Sequence, residues 1–118
     1  MTTNSILVDI KKDLGITEEY EHFDPDLIMD INAALAVLNM LGVGPKTGFS
    51  ITGKEQLWSD YLDAGPVLDM AKKYISMKVK LMFEANTLTS PVVDSLNKQL
   101  SELGFYLQVS VDPPVEGG

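Results

Sequence analysis

Apolar residues recur every three or four positions along the segment that follows Asp24-Pro25. Asp24 is suited to the N-cap of a helix, because its side chain can accept hydrogen bonds from free helix N–H groups, and proline is favoured in the first turn. At the other end, Gly42 can adopt the left-handed conformation that closes a helix, and Pro45 prevents its continuation. The pattern therefore predicts a helix over residues 24–41, and we take it as the central element of the chain.

The predicted helix is apolar on two opposite sides. Its first face has the spacing of a core stripe and consists of Leu27, Ile28, Ile31, Leu35 and Leu38. Its second face consists of Met29, Ala33, Ala36 and Met40, flanked by Val37. The narrow seams between the two faces carry Asp26, Asp30, Asn32 and Asn39. A helix of this kind lies either at the centre of a bundle or between its own core and a neighbouring protein. We expect the Leu35 side to face the core and the Met29 and Met40 side to face a neighbour.

Helical spacing recurs in four other segments of the chain. The predicted helices run from a cap at Asn4 or Ser5 to Gly15, over residues 54–62, from Pro66 to about Asn86, and from Ser90-Pro91 to Gly104. The helix that begins at Pro66 also has a second apolar stripe, which consists of Met70, Tyr74, Met77 and Leu81. These stripes indicate that helix packing builds most of the core.

The residues after Gly104 follow a different pattern. Phe105, Leu107, Val109 and Val111 alternate with Tyr106, Gln108 and Ser110. An alternation of this kind has the period of a β-strand, since successive side chains of a strand point to opposite faces. We therefore predict an extended segment that lies over its own domain or on another subunit.

The fold class predicted from these elements is all-α, a small helical bundle of about four to five helices with a short extended C-terminal tail. At 118 residues the chain is expected to form a single domain over residues 1–111, with a flexible tail over residues 112–118. The chain has no apolar run near 20 residues and no signal-peptide pattern at its start. We therefore expect a cytoplasmic protein without a membrane span.

Composition narrows the possible functions. The formal net charge is −8, and all nine basic residues are lysines. Arginine is the usual residue for bidentate recognition of phosphates and bases, so its absence argues against sequence-specific binding to nucleic acid. There is no cysteine, which excludes disulfides, thiolate metal sites and thiol nucleophiles.

His22 is the only histidine, and carboxylates surround it in the sequence. These acidic residues are Glu18, Glu19, Glu21, Asp24 and Asp26. They lack the glycine and ligand spacing of a calcium loop, and acidic residues are common at helix starts because the helix dipole favours them there. We therefore favour capping over a metal site.

The segment from Gly42 to Gly48 superficially suggests a phosphate-binding loop, because it contains glycines followed by Lys46-Thr47. Its spacing is wrong, and it follows a helix where a nucleotide-binding loop must follow a strand. No histidine stands at motif spacing from a serine to support a catalytic triad. We predict no catalytic, metal-binding or cofactor-binding residue, and no cofactor.

Several spaced blocks resemble the small head-tail connector, or adaptor, proteins of long-tailed bacteriophages. The blocks are Asp13-Leu14-Gly15-Ile16, Phe23-Asp24-Pro25-Asp26, Ile31-Asn32-Ala33-Ala34-Leu35, Leu41-Gly42-Val43-Gly44-Pro45, Trp58-Ser59-Asp60-Tyr61-Leu62, and residues 74–83 followed by Ser90-Pro91. The likeness extends from about Ile6 to Leu107.

The resemblance implies a structural virion protein of a phage or prophage, with no catalytic residues. It implies a ring homo-oligomer beneath the portal protein, joined to a further head-tail joining protein and surrounding the DNA passage. Such a protein is made in the cytoplasm of the bacterial host and is located at the head-tail junction of the virion. DNA would pass nearby without sequence-specific binding, and no membrane is involved.

We predict that contacts between copies or with a partner come from the second apolar stripes of the two long helices, from the aromatic residues and from the C-terminal segment. The candidates are Met29, Ala36, Met40, Phe49, Trp58, Met70, Met77, Phe105, Leu107 and Val109. The alternative for Phe49 and Trp58, and for the methionines, is ordinary core packing. The alternative for the whole chain is a monomeric acidic helical regulator or protein-binding module. Neighbouring portal, capsid and tail genes would favour the connector, and an enzyme is a weaker third hypothesis.

Overall fold

The computed structural model describes residues 4–111, which form five α-helices. The helices are α1 (Ile6–Asp13), α2 (Asp24–Met40), α3 (Trp58–Tyr61), α4 (Pro66–Phe83) and α5 (Ser90–Val111). The predicted all-α fold class is confirmed. The flexible tail predicted for residues 112–118 lies outside the described residues. No helix within residues 4–111 is both long and apolar enough to cross a membrane.

The predicted end of α2 is confirmed in atomic detail. Gly42 has φ of +92°, the left-handed conformation that glycine adopts without steric cost. The N–H of Val43 donates to the carbonyl of Leu38 at 2.9 Å, and the N–H of Gly42 donates to the carbonyl of Asn39 at 3.0 Å. This pair of bonds satisfies carbonyl groups that the helix end would otherwise leave free.

The start of α2 differs from the prediction. Asp24 is the first residue of the helix, the cap position belongs to Phe23, and no side chain accepts a capping hydrogen bond. The carboxylate of Asp24 instead pairs with the Nζ of Lys11 at 2.8 Å. Lys11 is only 2% exposed and also donates to the carbonyl of Glu18 at 2.9 Å. The predicted cap was wrong because a buried ammonium group needs a carboxylate partner more than the helix start does.

The core lies where α4 packs against both α2 and α5. The first apolar face of α2 is buried as predicted at Leu27, Ile31, Leu35 and Leu38, each at most 1% exposed, and Ile28 in the same face is partly buried. The second stripe of α4 is also largely inside, since Tyr74 and Met77 are buried. Both sides of α4 are therefore used within the chain.

The predicted extended segment after Gly104 is wrong, because α5 continues as a helix to Val111. Helical spacing places Leu107 on the same side as Leu100, and Leu107 is fully buried. A Cβ built on Gly42 would lie 3.2 Å from a methyl group of Val111, so the end of α5 reaches the end of α2. Burial against α2 and α4 thus outweighs the local alternation, and Gly104 lies within the helix instead of ending it.

The predicted helix over residues 54–62 is much shorter in the structure. Only Trp58–Tyr61 is helical, and its start is marked by Asp60, whose carboxylate accepts from the N–H of Leu57 at 2.9 Å. The preceding residues form a long connection in which Ile51 is buried. The helix α4 begins at Pro66 as predicted and ends at Phe83, before the predicted Asn86.

Candidate interaction surfaces

The second apolar face of α2 is open to solvent along most of the helix. Met29 is 69% exposed and Met40 is 84% exposed, and Ala33 and Ala36 between them are also exposed. We call these four residues the α2 outer face. A helix of 17 residues is about 25 Å long, so the face is an extended stripe of apolar side chains that nothing in residues 4–111 covers.

A second exposed apolar surface lies near the end of α5. Phe105 is 62% exposed, Tyr106 is 55% exposed and Val109 is 57% exposed. The rings of Phe105 and Tyr106 are 5.8 Å apart in an edge-to-face arrangement. We call these three residues the α5 aromatic patch. The alternating pattern predicts Tyr106 on the polar side of a strand, whereas helical spacing brings Tyr106 beside Phe105 and Val109.

Three predicted interface residues lie inside the chain. Trp58, Met77 and Leu107 are 1%, 7% and 0% exposed. The indole N–H of Trp58 donates to a carboxylate oxygen of Asp9 at 2.7 Å, and Lys72 Nζ lies 5.4 Å from the centre of the Trp58 ring. The intramolecular contacts of these side chains favour the core alternative for them.

The remaining predicted positions differ in their exposure. Phe49 and Met70 are half-buried, and the Phe49 ring lies 5.2 Å from that of Tyr61. Met29, Ala36, Met40, Phe105 and Val109 are exposed. The structure therefore leaves these last five as the positions that a partner can reach without rearrangement of the chain.

Two asparagines in the seams of α2 hold the long connection against the helix. Asn32 donates from its side-chain amide to the carbonyl of Ile51 at 3.0 Å and accepts from the N–H of Ile51 at 2.7 Å. Asn39 donates to the carbonyl of Pro45 at 2.9 Å. These bonds fix the connection alongside α2 and leave its outer face uncovered.

A groove of about 600 Å³ opens between the start of α2 and the end of α4. Its lining includes apolar Phe23, Met82 and Phe83 and acidic Asp26 and Asp30. Partial burial, and secondarily the charge of Asp26, raises the pKa of Asp30 above its ordinary value of 3.8. We call this feature the acidic groove.

The acidic cluster around His22 is predicted to serve in capping and not as a metal site. In the structure, His22 lies in a row of aromatic rings. The His22 ring lies 4.9 Å from that of Phe23, which in turn lies 5.2 Å from the ring of Phe83. Within residues 4–111, no three histidine or acidic side chains are grouped as a metal site would require.

The glycine-rich segment after α2 forms the end of that helix, as predicted. Gly44 has φ of +96°, and a Cβ at this position would come within 2.7 Å of the Tyr61 ring. The ring therefore occupies space beside this backbone, and the segment leads into a connection instead of a second helix.

Comparison with known families decides among the functional alternatives. The chain matches the family model described as phage connector protein over residues 6–114, which is nearly its whole length. The chain belongs to the phage connector protein family. The resemblance seen in the sequence blocks is thereby confirmed. No curated protein and no solved structure gives a significant match.

Membership of this family makes the connector a structural component of a bacteriophage. Connector proteins interact with other components of the phage head and tail. The exposed apolar surfaces on α2 and α5 leave apolar groups available for such contacts.

Proposed function

We propose that this connector assembles as a ring beneath the portal protein and links head to tail around the DNA passage. It also contacts a further head-tail joining protein, and its location is the head-tail junction of the virion. The observation that carries the proposal is the α2 outer face, because a member of a connector family keeps a stripe of methionines and alanines exposed to water.

The chemistry of the two exposed surfaces supports contact between copies. The α2 outer face has small residues, Ala33 and Ala36, between two long flexible methionines. The α5 aromatic patch presents the bulky ring of Phe105. Small side chains allow close approach, and methionine adapts its shape to an incoming ring. We propose that the α5 aromatic patch of one copy packs on the α2 outer face of the next.

An interface between two different surfaces favours a ring. Each copy that uses α2 on one side and α5 on the other leaves one surface of each kind free, so further copies add until the rotation closes. A contact of the same surface with itself would instead stop at a twofold dimer.

The charge of the chain supports a passage for DNA. The net charge of −8 and the absence of arginine disfavour tight contacts with phosphate groups. A ring of such copies would surround DNA without holding it, and this role requires no catalytic residue or cofactor.

Electron microscopy and native mass spectrometry of the protein, alone and mixed with its portal, test the proposal. We expect a ring on the portal, and we expect Ala36→Glu to abolish it, because the substitution places a charge at the centre of the α2 outer face. The matched control is Ala64→Glu, at an exposed position in the connection before α4. A protein that stays monomeric in the presence of the portal would contradict the proposal.

A further inference from the structure

The acidic groove is a third surface of the chain, and it shares Met29 with the end of the α2 outer face. Its apolar part is formed by Phe23 from the start of α2 and by Met82 and Phe83 from the end of α4. Phe23 and Phe83 meet edge to face, with their ring centres 5.2 Å apart. The groove can therefore bury apolar groups of a partner, and its acidic residues can bind positive groups of the same partner.

Two acidic residues of the groove, Asp26 and Asp30, have no cationic partner within residues 4–111. Within residues 4–111, the ion pairs shorter than 4.0 Å are Lys11 with Asp24 and Lys80 with Glu84. Glu84 lines the groove and already has its lysine. Asp26 and Asp30, one helical turn apart on α2, have no cationic partner at that distance. Like charges at this spacing repel each other, so the groove holds two carboxylates that a positive group would stabilise.

The arrangement of the carboxylates in the groove indicates which kind of positive group could bind there. The carboxylates of Asp26, Asp30 and Glu84 are not gathered as a metal site would require. Separate carboxylates beside an apolar floor instead match lysine or arginine side chains on a segment that also presents apolar residues. The net charge of −8 disfavours another copy of this chain as the source of a basic segment.

We propose that the acidic groove docks a basic amphipathic segment of a different protein, whose lysine or arginine residues pair with Asp26 and Asp30 while its apolar residues cover Met82 and Phe83. This proposal rests on the proposed function in one respect, namely that the partner is another component of the head-tail junction. It names a contact that is distinct from the one between copies.

The experiment uses the whole protein and a fluorescently labelled amphipathic peptide of leucine and lysine, with a leucine and glutamate peptide of the same pattern as the control probe. Fluorescence anisotropy at low and moderate salt measures binding. We expect Asp26→Asn/Asp30→Asn to weaken binding of the basic peptide by about tenfold or more, because two charge-assisted contacts are lost. Asp94→Asn/Glu102→Asn, at exposed positions on α5, removes the same charge elsewhere and should change binding by less than about twofold.

Methyl NMR of the methionines locates the bound peptide. We expect the signals of Met29 and Met82, which line the groove, to shift, and those of Met40 and Met77 to stay unchanged. Equal weakening by both pairs of substitutions, or shifts confined to Met40, would overturn the proposal by showing only general attraction to an acidic protein.

The test also separates this proposal from the ring. The variant Asp26→Asn/Asp30→Asn should still form rings by electron microscopy, whereas Ala36→Glu should lose rings and still bind the peptide. Loss of ring formation in the groove variant would overturn the assignment to a different protein, since it would make another copy the occupant. A protein that forms no ring but retains groove-dependent peptide binding would contradict the proposed function alone.

Discussion

Asn32 binds the backbone of Ile51 at both its N–H and its carbonyl, at 2.7 Å and 3.0 Å. A single side-chain amide on α2 thereby replaces the backbone partner that Ile51 would have in a strand. Ile51 is 1% exposed, so the two bonds also satisfy polar groups that have little access to water. The long connection before α3 depends on this contact for its position against the helix.

We expect Asn32→Ala to lower the free energy of unfolding by about 2 kcal/mol, because it leaves the backbone groups of Ile51 without partners. Asn32→Asp should also lower it at neutral pH, because a carboxylate can accept from the N–H of Ile51 but cannot donate to its carbonyl. Urea unfolding followed by circular dichroism measures both. The control is Asn97→Ala on the exposed side of α5, and an equal loss of stability in the control would contradict the assignment.

Loss of either residue of the buried ion pair between Lys11 and Asp24 should strongly lower the free energy of unfolding. Lys11→Met should destabilise the chain by about 3 kcal/mol, because it leaves the carboxylate of Asp24 without its ammonium partner. Adding Asp24→Asn should cost less than the sum of the single changes, with a coupling of about 1–3 kcal/mol. Lys12→Met, at the exposed neighbouring lysine, is the matched control for the change of charge and shape. Additive effects in this double-mutant cycle would show that the two groups do not act as a pair.

Replacement of Gly104 and of Gly42 by alanine should change the stability of the chain in opposite directions. A Cβ on Gly104 would lie 3.7 Å from both Leu41 and Tyr74, which is ordinary packing distance, so Gly104→Ala should stabilise α5 by about 0.5–1 kcal/mol. Gly42→Ala should destabilise by about 1 kcal/mol or more, because the residue has φ of +92° and its Cβ would crowd Val111 at 3.2 Å. Thermal unfolding of both variants measures the contrast. Stabilisation by Gly42→Ala would be incompatible with the left-handed end of α2.

The raised pKa of Asp30 gives a pH dependence with a defined sign. The folded chain holds the proton of this carboxyl to a higher pH than the unfolded chain, so the contribution of Asp30 to stability falls as pH rises through the raised pKa. Above that pH the charged form is repelled by Asp26, while Glu84, which lines the same groove, is paired with Lys80. Asp30→Asn should therefore stabilise at pH 7, by about 0.2–0.5 kcal/mol for the repulsion from Asp26.

The gain from Asp30→Asn should disappear as the pH falls below about 3.8, where the carboxyl is protonated in both states. Unfolding curves at pH 7 and at acidic pH measure this difference. Asp94→Asn is the control because it removes one charge from an exposed site on α5 without relieving repulsion from Asp26. A variant that is equally or less stable than the parent at pH 7 would contradict the environment assigned to Asp30.

The sequence predicted those parts of the fold that depend on residues close to one another along the chain. Gly42 ends α2 because few residues adopt its conformation, and Ser5 caps α1 by accepting from the N–H of Val8 at 3.3 Å. The division of α2 into two apolar faces was also predictable, since helical spacing alone separates Leu35 from Met40. Whether a partner covers the second face stays a prediction.

The sequence patterns failed where contacts between residues distant in the sequence determine the structure. The role of Asp24 depends on the burial of Lys11, which periodicity does not reveal. The segment after Gly104 has the alternation of a strand, but the space available for Leu107 against the core favours a helix. The patterns did not predict Tyr106 as an interface residue for the same reason, since it lies beside Phe105 and Val109 only when the segment is helical. Trp58 had two open interpretations, and its bond to Asp9 depends on the approach of α1.

The placement of the two exposed apolar surfaces on different helices has a consequence for the symmetry of any ring they build. Copies joined from α2 to α5 all point the same way around the circle, so the ring has a direction, and its upper and lower rims present different residues. A dimer related by a twofold axis would have equivalent ends. The proposed function places a capsid on one side of the ring and a tail on the other, which requires this inequivalence, and α2 and α5 would supply it within a single chain.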